Sequence, residues 1–242
     1  LAYSLRDADP TSLPTSADNN GTKWVTSSIG SASSNKPTRG GGLPTAVEQV
    51  AQHEYDSQGR LALTASEDGI NGTMLARHYT VYETHRRLQF PYWDTSTNKP
   101  LLPIEATVFD DGGTVTDQFS VDPARTAQSG GQPTGLSAGT DQTHYLRWTR
   151  QLYDAVSGEL VKTHTYHDIP SSGYGSKDTN YTETLWGYDA QGRRDREVAP
   201  GGTITRGVFD SLGRLSSQWV GTDDVPSSGS WSPSNNSGAN MT

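Results

Sequence analysis

Polar and apolar residues alternate along this chain in short runs, a pattern typical of β-strands that are half buried on a sheet. Within residues 181–188, one face carries Thr182, Thr184, Trp186 and Tyr188, and the other carries Tyr181, Glu183 and Leu185. A second run places Leu215, Ser217 and Trp219 opposite Arg214, Ser216 and Gln218. The best helical candidate, residues 45–53, runs directly into a turn motif, so we interpret it as strand. The pattern predicts an all-β fold of antiparallel hairpins that form a continuous curved sheet.

A short motif returns at the ends of these runs, in the order aromatic, Asp, two variable residues, Gly and Arg. The clear copies contribute Tyr55, Asp56, Gly59 and Arg60, then Tyr188, Asp189, Gly192 and Arg193, and finally Phe209, Asp210, Gly213 and Arg214. An Asp at the first position of a four-residue turn accepts hydrogen bonds from turn N–H groups, and a Gly at the fourth position adopts positive φ. Because strand residues follow, each copy predicts a type I turn with a glycine bulge at the tip of a β-hairpin.

Three degenerate copies lie between the clear ones and begin at Tyr82, Phe109 and Tyr153. The leading aromatic residues are 21 positions apart between Tyr188 and Phe209, and 44 apart between Phe109 and Tyr153. The shorter spacing holds two strands of about seven residues and two turns, so one repeat is predicted to be one hairpin. Gly/Ser/Pro-rich insertions at residues 129–140 and 170–178 explain the longer spacings and are predicted to be loops.

Composition divides the chain into three predicted segments. Residues 1–44 and 222–242 are rich in small polar residues and lack the apolar side chains for a core, whereas residues 45–221 hold the hairpin array. Only 31% of the 242 residues are hydrophobic, and there are 26 Gly and 13 Pro, so we expect a thin core and many turns. Both low-complexity ends are expected to pack against a neighbouring chain or the rest of a longer one, and a plain flexible terminus is the alternative.

Charge and composition exclude several classes of function. The formal net charge is −8 and no basic run is present, so neither nucleic acid nor an anionic membrane surface is an expected partner. The absence of Cys excludes disulfides, thiolate metal ligands and a cysteine nucleophile. No run approaches the ~20 apolar residues of a membrane span, so we predict no membrane insertion. The first residue is Leu1 without a leader, so we expect a mature product or a fragment.

The motif resembles the YD repeat of bacterial Rhs-type proteins and teneurins, and the likeness covers residues 55–215. In that family the hairpins join into a long sheet that spirals into a hollow shell. The resemblance implies that this chain is a section of such a wall, extracellular or at the cell surface. Its partners would be other copies of itself or the remainder of a longer YD-repeat chain. Asp9-Pro10 and Asp122-Pro123 lie outside any recognisable self-cleavage motif of that family, so autoproteolysis is not expected. A toxin domain is not expected either, because this chain has no room for one.

The recurring Arg60, Arg193 and Arg214 follow their glycines at equal offsets. Neighbouring hairpins would therefore align these guanidinium groups with the turn carboxylates of Asp56, Asp189 and Asp210. We predict a ladder of turn-stabilising ion pairs, each contributing little where it is exposed to solvent.

Other clusters of polar residues have simpler explanations than catalysis or metal binding. His164 and His167 would point to opposite faces of a strand, and the acidic pairs Asp110-Asp111 and Asp223-Asp224 lack the ligand spacing of a calcium loop. Gly135-Leu136-Ser137-Ala138-Gly139 has the letters of a nucleophile elbow but lies in a Gly/Ser/Pro-rich insertion. We therefore predict no catalytic residue, cofactor or metal, although an enzyme with an unrecognised site stays an alternative.

The six Trp and eleven Tyr residues leave a second class of function open. Aromatic faces stack on sugar rings, and Trp93 and Trp148 are the aromatic residues that the repeat explains least. The principal hypothesis is a non-catalytic structural scaffold. The alternative is a surface adhesin or glycan-binding module that uses these exposed aromatic residues.

Overall fold

The computed structural model describes residues 2–6, 49–68, 74–236 and 241. Seventeen strands run along these residues: β1 (Ala2–Arg6), β2 (Gln49–Tyr55), β3 (Leu61–Asp68), β4 (Met74–Tyr82), β5 (Arg86–Phe90), β6 (Trp93–Asp94), β7 (Lys99–Pro100), β8 (Ile104–Phe109), β9 (Val115–Val121), β10 (Thr126–Ser129), β11 (Gln132–Leu136), β12 (Tyr145–Tyr153), β13 (Leu160–Tyr166), β14 (Tyr181–Tyr188), β15 (Arg194–Val198), β16 (Ile204–Phe209) and β17 (Leu215–Gly221). Helix is confined, within the described residues, to the short 3-10 turns Pro123–Arg125 and Gln142–His144. The predicted all-β class is confirmed.

Two compact units divide the chain, the first reaching residue 106 and including residues 120–140, the second comprising residues 107–119 and those from 141 onward. The residues of β8 and β9 are shared between the units. This division differs from the three segments that composition predicts, and those segments stay a prediction. Most of residues 1–44 lie outside the described part of the chain.

Unit 1 is built from sequential antiparallel pairs, β1 with β2, β2 with β3, β3 with β4 and β4 with β5. Residues 49–53 form part of β2, as the strand interpretation expects, and residues 45–48 are outside the described residues. The core side chains Leu63, Tyr79 and Phe90 occupy facing positions on three neighbouring strands. The small hairpin of β6 and β7 adds Trp93 to this core.

Unit 2 continues the same arrangement from β12 to β17, with every strand antiparallel to the one before it. Burial alternates along β13, where His164 and Tyr166 are buried and Thr165 between them is exposed. This alternation places one face of the strands against the core, because successive side chains point to opposite sides of a sheet. Residues 167–180 and 222–236 lie outside the main strands.

The two predicted insertions differ from each other in structure. Residues 129–140 include strand β11, which pairs with β10 to form a separate two-stranded hairpin, so this insertion is not the plain loop that its composition suggests. Residues 170–178 are a connection without a strand of their own, between β13 and β14. Ser137 follows β11 and no helix comes directly after it, so Gly135-Leu136-Ser137-Ala138-Gly139 lacks the context of a nucleophile elbow.

Candidate functional site

The turn at Asp189 shows how the recurring residues work together. Gly192 N–H donates to the Asp189 carbonyl at 3.0 Å and Asp189 N–H donates to the Arg193 carbonyl at 2.9 Å, which closes the reversal between β14 and β15. The Asp189 carboxylate accepts from the N–H groups of Gln191 and Arg193 at 2.9 and 3.0 Å. Gly192 has φ +73°, a conformation that a side chain would strain. The motif thus supplies acceptors for four N–H groups of the turn, those of Asp189, Gln191, Gly192 and Arg193.

The other two clear copies repeat this geometry. Gly59 and Gly213 have φ of +78° and +79°, and each donates to the carbonyl of its own Asp at 3.0 Å. The register of the flanking strands shifts just before Tyr55, Tyr188 and Phe209, as expected for a bulge that accompanies the turn. All three glycines therefore lie at reversals between antiparallel strands.

Each motif arginine pairs with the aspartate of its own turn. The Nε–Oδ2 distances are 2.8 Å for Arg60 and Asp56, 2.6 Å for Arg193 and Asp189, and 2.8 Å for Arg214 and Asp210. The side-chain hydrogen bond from Arg193 is the largest cause that lowers the pKa of Asp189 below its usual value. For Asp56 and Asp210 the largest cause of the lowered pKa is the backbone N–H of the motif arginine.

The degenerate copies keep the backbone turn and change the side chains. Asp110 and Asp154 accept from turn N–H groups as the clear copies do, and Gly113 and Gly158 have positive φ. The copy at Tyr82 uses a tighter reversal, in which Glu83 N–H donates to the Arg86 carbonyl at 2.7 Å. Asp110 therefore serves as a turn cap.

Three tyrosine hydroxyls join their own turns to the preceding ones. Tyr82 Oη donates to the Leu61 carbonyl at 3.3 Å and Tyr188 Oη to the Leu160 carbonyl at 2.9 Å. Tyr153 Oη lies 3.0 Å from the Val115 carbonyl oxygen and shares its proton between this acceptor and Gln151 Oε1, 2.6 Å away. In every case the acceptor is the first residue of the strand that leaves the preceding turn. We call this set of bonds the hydroxyl ladder. It explains why the leading aromatic residue is a tyrosine at these positions.

The motif arginines also contact the aromatic ring of the following repeat. The guanidinium carbon of Arg60 lies 4.2 Å from the ring centre of Tyr82, and that of Arg193 lies 4.7 Å from the ring centre of Phe209. Such cation–π contacts contribute roughly 0.5–1 kcal/mol at exposed sites. Phe209 has no hydroxyl, so the arginine contact takes the place of the ladder bond at that turn.

One reversal of the same form has no motif. Ala199 N–H donates to the Thr203 carbonyl and Gly202 N–H donates to the Ala199 carbonyl, both at 2.8 Å, and Gly202 has φ +82°. This turn joins β15 to β16 without an aspartate cap. The dipeptides Pro200-Gly201 and Gly201-Gly202 are the signal from which the sequence could have indicated it.

Asp224 fixes the polar C-terminal tail to the strands of unit 2. Its Oδ2 accepts from Arg196 Nε at 2.6 Å and from Arg206 Nε at 2.8 Å, and the side chain of Asp224 is 9% exposed. The Arg196 hydrogen bond is the largest cause that lowers the pKa of Asp224. Trp231, further along the tail, packs edge-on against Trp219 with ring centres 6.5 Å apart. This tail thus packs on its own unit.

Both tryptophans proposed as glycan contacts are 5% exposed. Trp93 packs edge-on against Tyr79 and Phe90, with ring centres 5.3 and 6.2 Å away, and so belongs to the core of unit 1. Trp148 stacks on Tyr166 at 4.0 Å and also lines a cavity of about 410 Å³ in unit 2. The expectation of exposed rings does not hold for either residue, and glycan contact stays a prediction.

The described residues provide no candidate metal site and no candidate membrane-spanning helix. The described residues contain no cluster of three His, Cys, Asp or Glu side chains that could hold a metal ion. His164 is buried, and its Nε2 lies 3.1 Å from Glu183 Oε2. Burial is the largest cause that lowers the pKa of His164. No helix within the described ranges is long and apolar enough to cross a membrane.

No family model and no curated protein matches this chain. Among solved structures it is similar to a crystal structure of TcdB2-TccC3-Cdc42, with a TM-score of 0.31 and 15% identity. It is also similar to the Photorhabdus luminescens Tc holotoxin pore with a TccC3 mutation, with a TM-score of 0.30 and 16% identity. Each match covers 71% of this chain and 10% of the other, so this chain spans about a tenth of their length. At these TM-scores the likeness assigns no function.

Proposed function

We propose that this chain is a non-catalytic structural scaffold, a section of a YD-repeat wall, shell or filament that lies outside the cell or at its surface. The observation that carries the proposal is the hydroxyl ladder, in which the tyrosine of one turn binds the backbone that leaves the preceding turn. The recurring residues are thus engaged with the chain's own backbone. This use suits a protein whose role is to hold a sheet together.

The hydroxyl ladder adds hydrogen bonds between successive turns to the hydrogen bonds within each turn. An isolated hairpin is marginally stable in water, and hairpins gain stability when further strands pair with them. The turn at Asp189 closes its own hairpin through Asp and Gly, binds the preceding hairpin through the Tyr188 hydroxyl and contacts the ring of Phe209 through Arg193. Repetition of such a unit extends a sheet without requiring a thick core, in keeping with the 31% hydrophobic content.

The partner that fits this proposal is a further hairpin of the same kind, from another copy or from the rest of a longer YD-repeat chain. Strand β17 pairs with β16, and on its other side the described residues pair only Met241 with Gly221. Arg214, which would stack on the next aromatic ring, has a side chain that is 74% exposed. Leu215 is the first residue of β17, and every acceptor of the hydroxyl ladder is likewise the first residue of its strand. The Leu215 carbonyl could therefore accept a hydrogen bond from the tyrosine of a further hairpin. Unpaired strand edges readily accept another strand.

A peptide binding experiment tests this proposal. A synthetic peptide of residues 180–199, which spans β14, its turn and β15, is labelled with fluorescein and titrated with the whole protein. Circular dichroism first establishes that the peptide forms a hairpin. We expect a saturable rise in anisotropy, and a Tyr188→Phe peptide that binds about fivefold more weakly, since one hydrogen bond contributes about 1 kcal/mol.

The protein variant Arg214→Ala should weaken binding of the same peptide. Arg194→Ala is the matched control, because Arg194 lies over the Trp186 ring within unit 2 and away from the β17 edge. A folded peptide that does not bind, or that binds the wild-type and Arg214→Ala proteins equally, would contradict the proposed extension of the sheet.

A further inference from the structure

A groove of about 250 Å³ lies across strands β15, β16 and β17 of unit 2. Its lining includes Arg194, Glu197, Thr205, Gly207, Phe209 and Leu215. The missing side chain of Gly207 keeps the groove open, because a Cβ added there would lie 3.1 Å from Leu215 Cδ1. The volume is below the roughly 300–1,000 Å³ of sites for drug-sized ligands, so the groove suits a smaller molecule. Neither Arg194 nor Glu197 takes part in the hydroxyl ladder, and the scaffold function does not account for them.

Strand pairing places the charged groups of Arg194 and Glu197 on one face of the sheet. Arg194 pairs with Tyr188, and Glu197 pairs with Trp186. Tyr188 and Trp186 share a face, because residues two apart in a strand point to the same side. The guanidinium carbon of Arg194 lies 4.5 Å from the ring centre of Trp186. Directly opposed residues of antiparallel strands have Cβ atoms about 4.5–5.5 Å apart, so Glu197 also lies beside Trp186.

The other charged groups of β15 are already neutralised. Asp195 Oδ2 accepts from Arg206 Nη1 at 2.9 Å, and Arg196 Nε donates to the carboxylate of the C-terminal tail at 2.6 Å. In the part of the chain that the structure describes, the Glu197 carboxylate makes no hydrogen bond or ion pair, and the Arg194 guanidinium makes only its ring contact. Glu197 is nevertheless half-buried, and burying a charge without a partner is unfavourable. A ligand that supplies the missing partner would remove this penalty.

The opposite charges of the groove favour a ligand that carries both signs. A cation at Glu197 would meet the Arg194 guanidinium, and an anion at Arg194 would meet the Glu197 carboxylate, so each is repelled by one of the two groups. A zwitterion is attracted by both. A guanidinium binds a carboxylate through two parallel hydrogen bonds, and an ammonium group offers three donors to a carboxylate. An α-amino acid carries its ammonium and carboxylate groups on the same carbon atom.

The apolar lining completes the description of the ligand. Phe209 is half-buried and Leu215 is 56% exposed, and both line the groove next to the open position at Gly207. Contact with these side chains would remove apolar surface of the protein and of the ligand from water. We propose that the groove binds a free apolar α-amino acid. Arg194 holds the carboxylate and Glu197 holds the ammonium group. The apolar side chain packs on Phe209 and Leu215.

A titration of the whole chain followed by heteronuclear NMR of its amide groups tests this site. The probes are L-leucine, N-acetyl-L-leucine, which lacks the ammonium group, L-leucinamide, which lacks the carboxylate, and glycine, which lacks the apolar side chain. We expect L-leucine to shift the amide signals of β15, β16 and β17 with a Kd of about 1 mM, a modest affinity in keeping with a partly exposed groove. The other three probes should bind at least about fivefold more weakly.

The same titrations can overturn the proposal in several ways. No shift of the amide signals at about 20 mM L-leucine, or shifts confined to other strands, would show that the groove does not bind it. Binding of L-leucinamide as tight as that of L-leucine would indicate a site for cations alone, and equal binding of N-acetyl-L-leucine a site for anions alone. Either result would contradict the zwitterion. Equal binding of glycine would contradict the apolar contact.

Two charge variants and one control connect the binding to individual residues. Glu197→Gln keeps the shape of its side chain and removes the charge, and Arg194→Gln removes the guanidinium. Each should weaken L-leucine binding at least about threefold, the effect of losing one partly exposed ion pair. Glu159→Gln removes a carboxylate that is likewise half-buried in unit 2 but lies outside the groove lining, and should leave the Kd unchanged. Unchanged binding in both charge variants would overturn the proposal.

A third variant tests whether the open position at Gly207 belongs to the site. Gly207→Ala adds a Cβ close to Leu215, which narrows the groove and should weaken the binding of L-leucine. Gly201→Ala is the matched control, because a Cβ added there meets nothing within 4 Å, and it should bind as the wild type does. The dispersion of the amide signals shows whether each variant is folded. A folded Gly207→Ala protein with the wild-type Kd would contradict the proposed position of the ligand side chain.

Discussion

Two carboxylates of unit 2, Asp189 and Asp224, show two ways of organising a polar region. Asp189 caps its turn through residues two and four positions away. Asp224 binds Arg196 and Arg206, which are 28 and 18 positions away. The first arrangement depends on local sequence and is repeated along the chain. The second depends on the completed sheet, so the two should differ in how they respond to substitution.

The largest effect is expected at the long-range contact. Asp224→Ala leaves two arginines without their shared carboxylate, and breaking a buried ion pair costs about 3–5 kcal/mol of unfolding free energy. Because Arg196 and Arg206 retain some exposure, we expect about 3 kcal/mol, toward the lower end of that range. Urea unfolding followed by tryptophan fluorescence measures the loss.

Asp223→Ala is the matched control for Asp224→Ala. The Asp223 carboxylate accepts from Val225 N–H at 3.0 Å, a local contact of the kind found in turns. We expect a loss of about 1 kcal/mol or less for this single hydrogen bond. Equal losses of unfolding free energy for Asp223→Ala and Asp224→Ala would contradict the view that the long-range contact stabilises the protein more than the local one.

A smaller effect is expected at a turn glycine. Gly213→Ala places a side chain at φ +79°, and the left-handed conformation costs an L-residue roughly 1–2 kcal/mol. The added Cβ would meet Arg193 Nη1 at 3.7 Å, an ordinary contact, so backbone strain dominates the effect. Gly201→Ala serves as control, because Gly201 lacks positive φ and an added Cβ meets nothing within 4 Å. A Gly213→Ala protein as stable as wild type in thermal unfolding would contradict the assigned turn.

The hydroxyl ladder should contribute less per bond. Tyr188→Phe removes the 2.9 Å bond to the Leu160 carbonyl and should lower the free energy of unfolding by about 1 kcal/mol. Tyr82→Phe removes a longer bond of 3.3 Å and should cost less. If chemical denaturation shows a larger loss for Tyr82→Phe than for Tyr188→Phe, the stabilising effect of a bond in the hydroxyl ladder does not depend on its length.

The Asp–Arg pairs within turns should show the smallest effect. In a double-mutant cycle on Asp189 and Arg193 we expect a small favourable coupling free energy, as is usual for partly exposed ion pairs. The same cycle on Asp210 and Arg214 should give less, since the Arg214 side chain is 74% exposed and that of Arg193 is 32% exposed. A coupling free energy of zero between Asp189 and Arg193 would show that this ion pair does not stabilise its turn.

The same contrast explains what the sequence could predict. The turns at Gly59, Gly192 and Gly213 follow from residues next to each other in the chain, because an Asp cap and a positive-φ glycine act over a few positions. The hydroxyl ladder was missed, since its acceptors are backbone carbonyls that the fold brings near. A backbone carbonyl leaves no signal in the sequence.

Long-range burial was likewise beyond sequence reasoning. The alternative of a glycan-binding module requires an exposed Trp93 ring, whereas the β6–β7 hairpin packs this ring on Tyr79. The sequence marks Asp224 only as half of an acidic pair, because its partners on β15 and β16 are separated from it along the chain. The packing of Trp93 and the partners of Asp224 depend on which strands pair. The alternation of polar and apolar residues and the composition do not determine that pairing.

Amide hydrogen exchange in the Tyr188→Phe protein tests most directly whether successive turns bind one another. The substitution removes a hydroxyl that reaches from the turn at Asp189 to the strand that leaves the turn at Asp154. We predict faster exchange in residues 154–160 as well as in residues 188–193. Faster exchange confined to residues 188–193, with residues 154–160 as protected as in the wild-type protein, would contradict the interlocked turns on which the proposed scaffold rests.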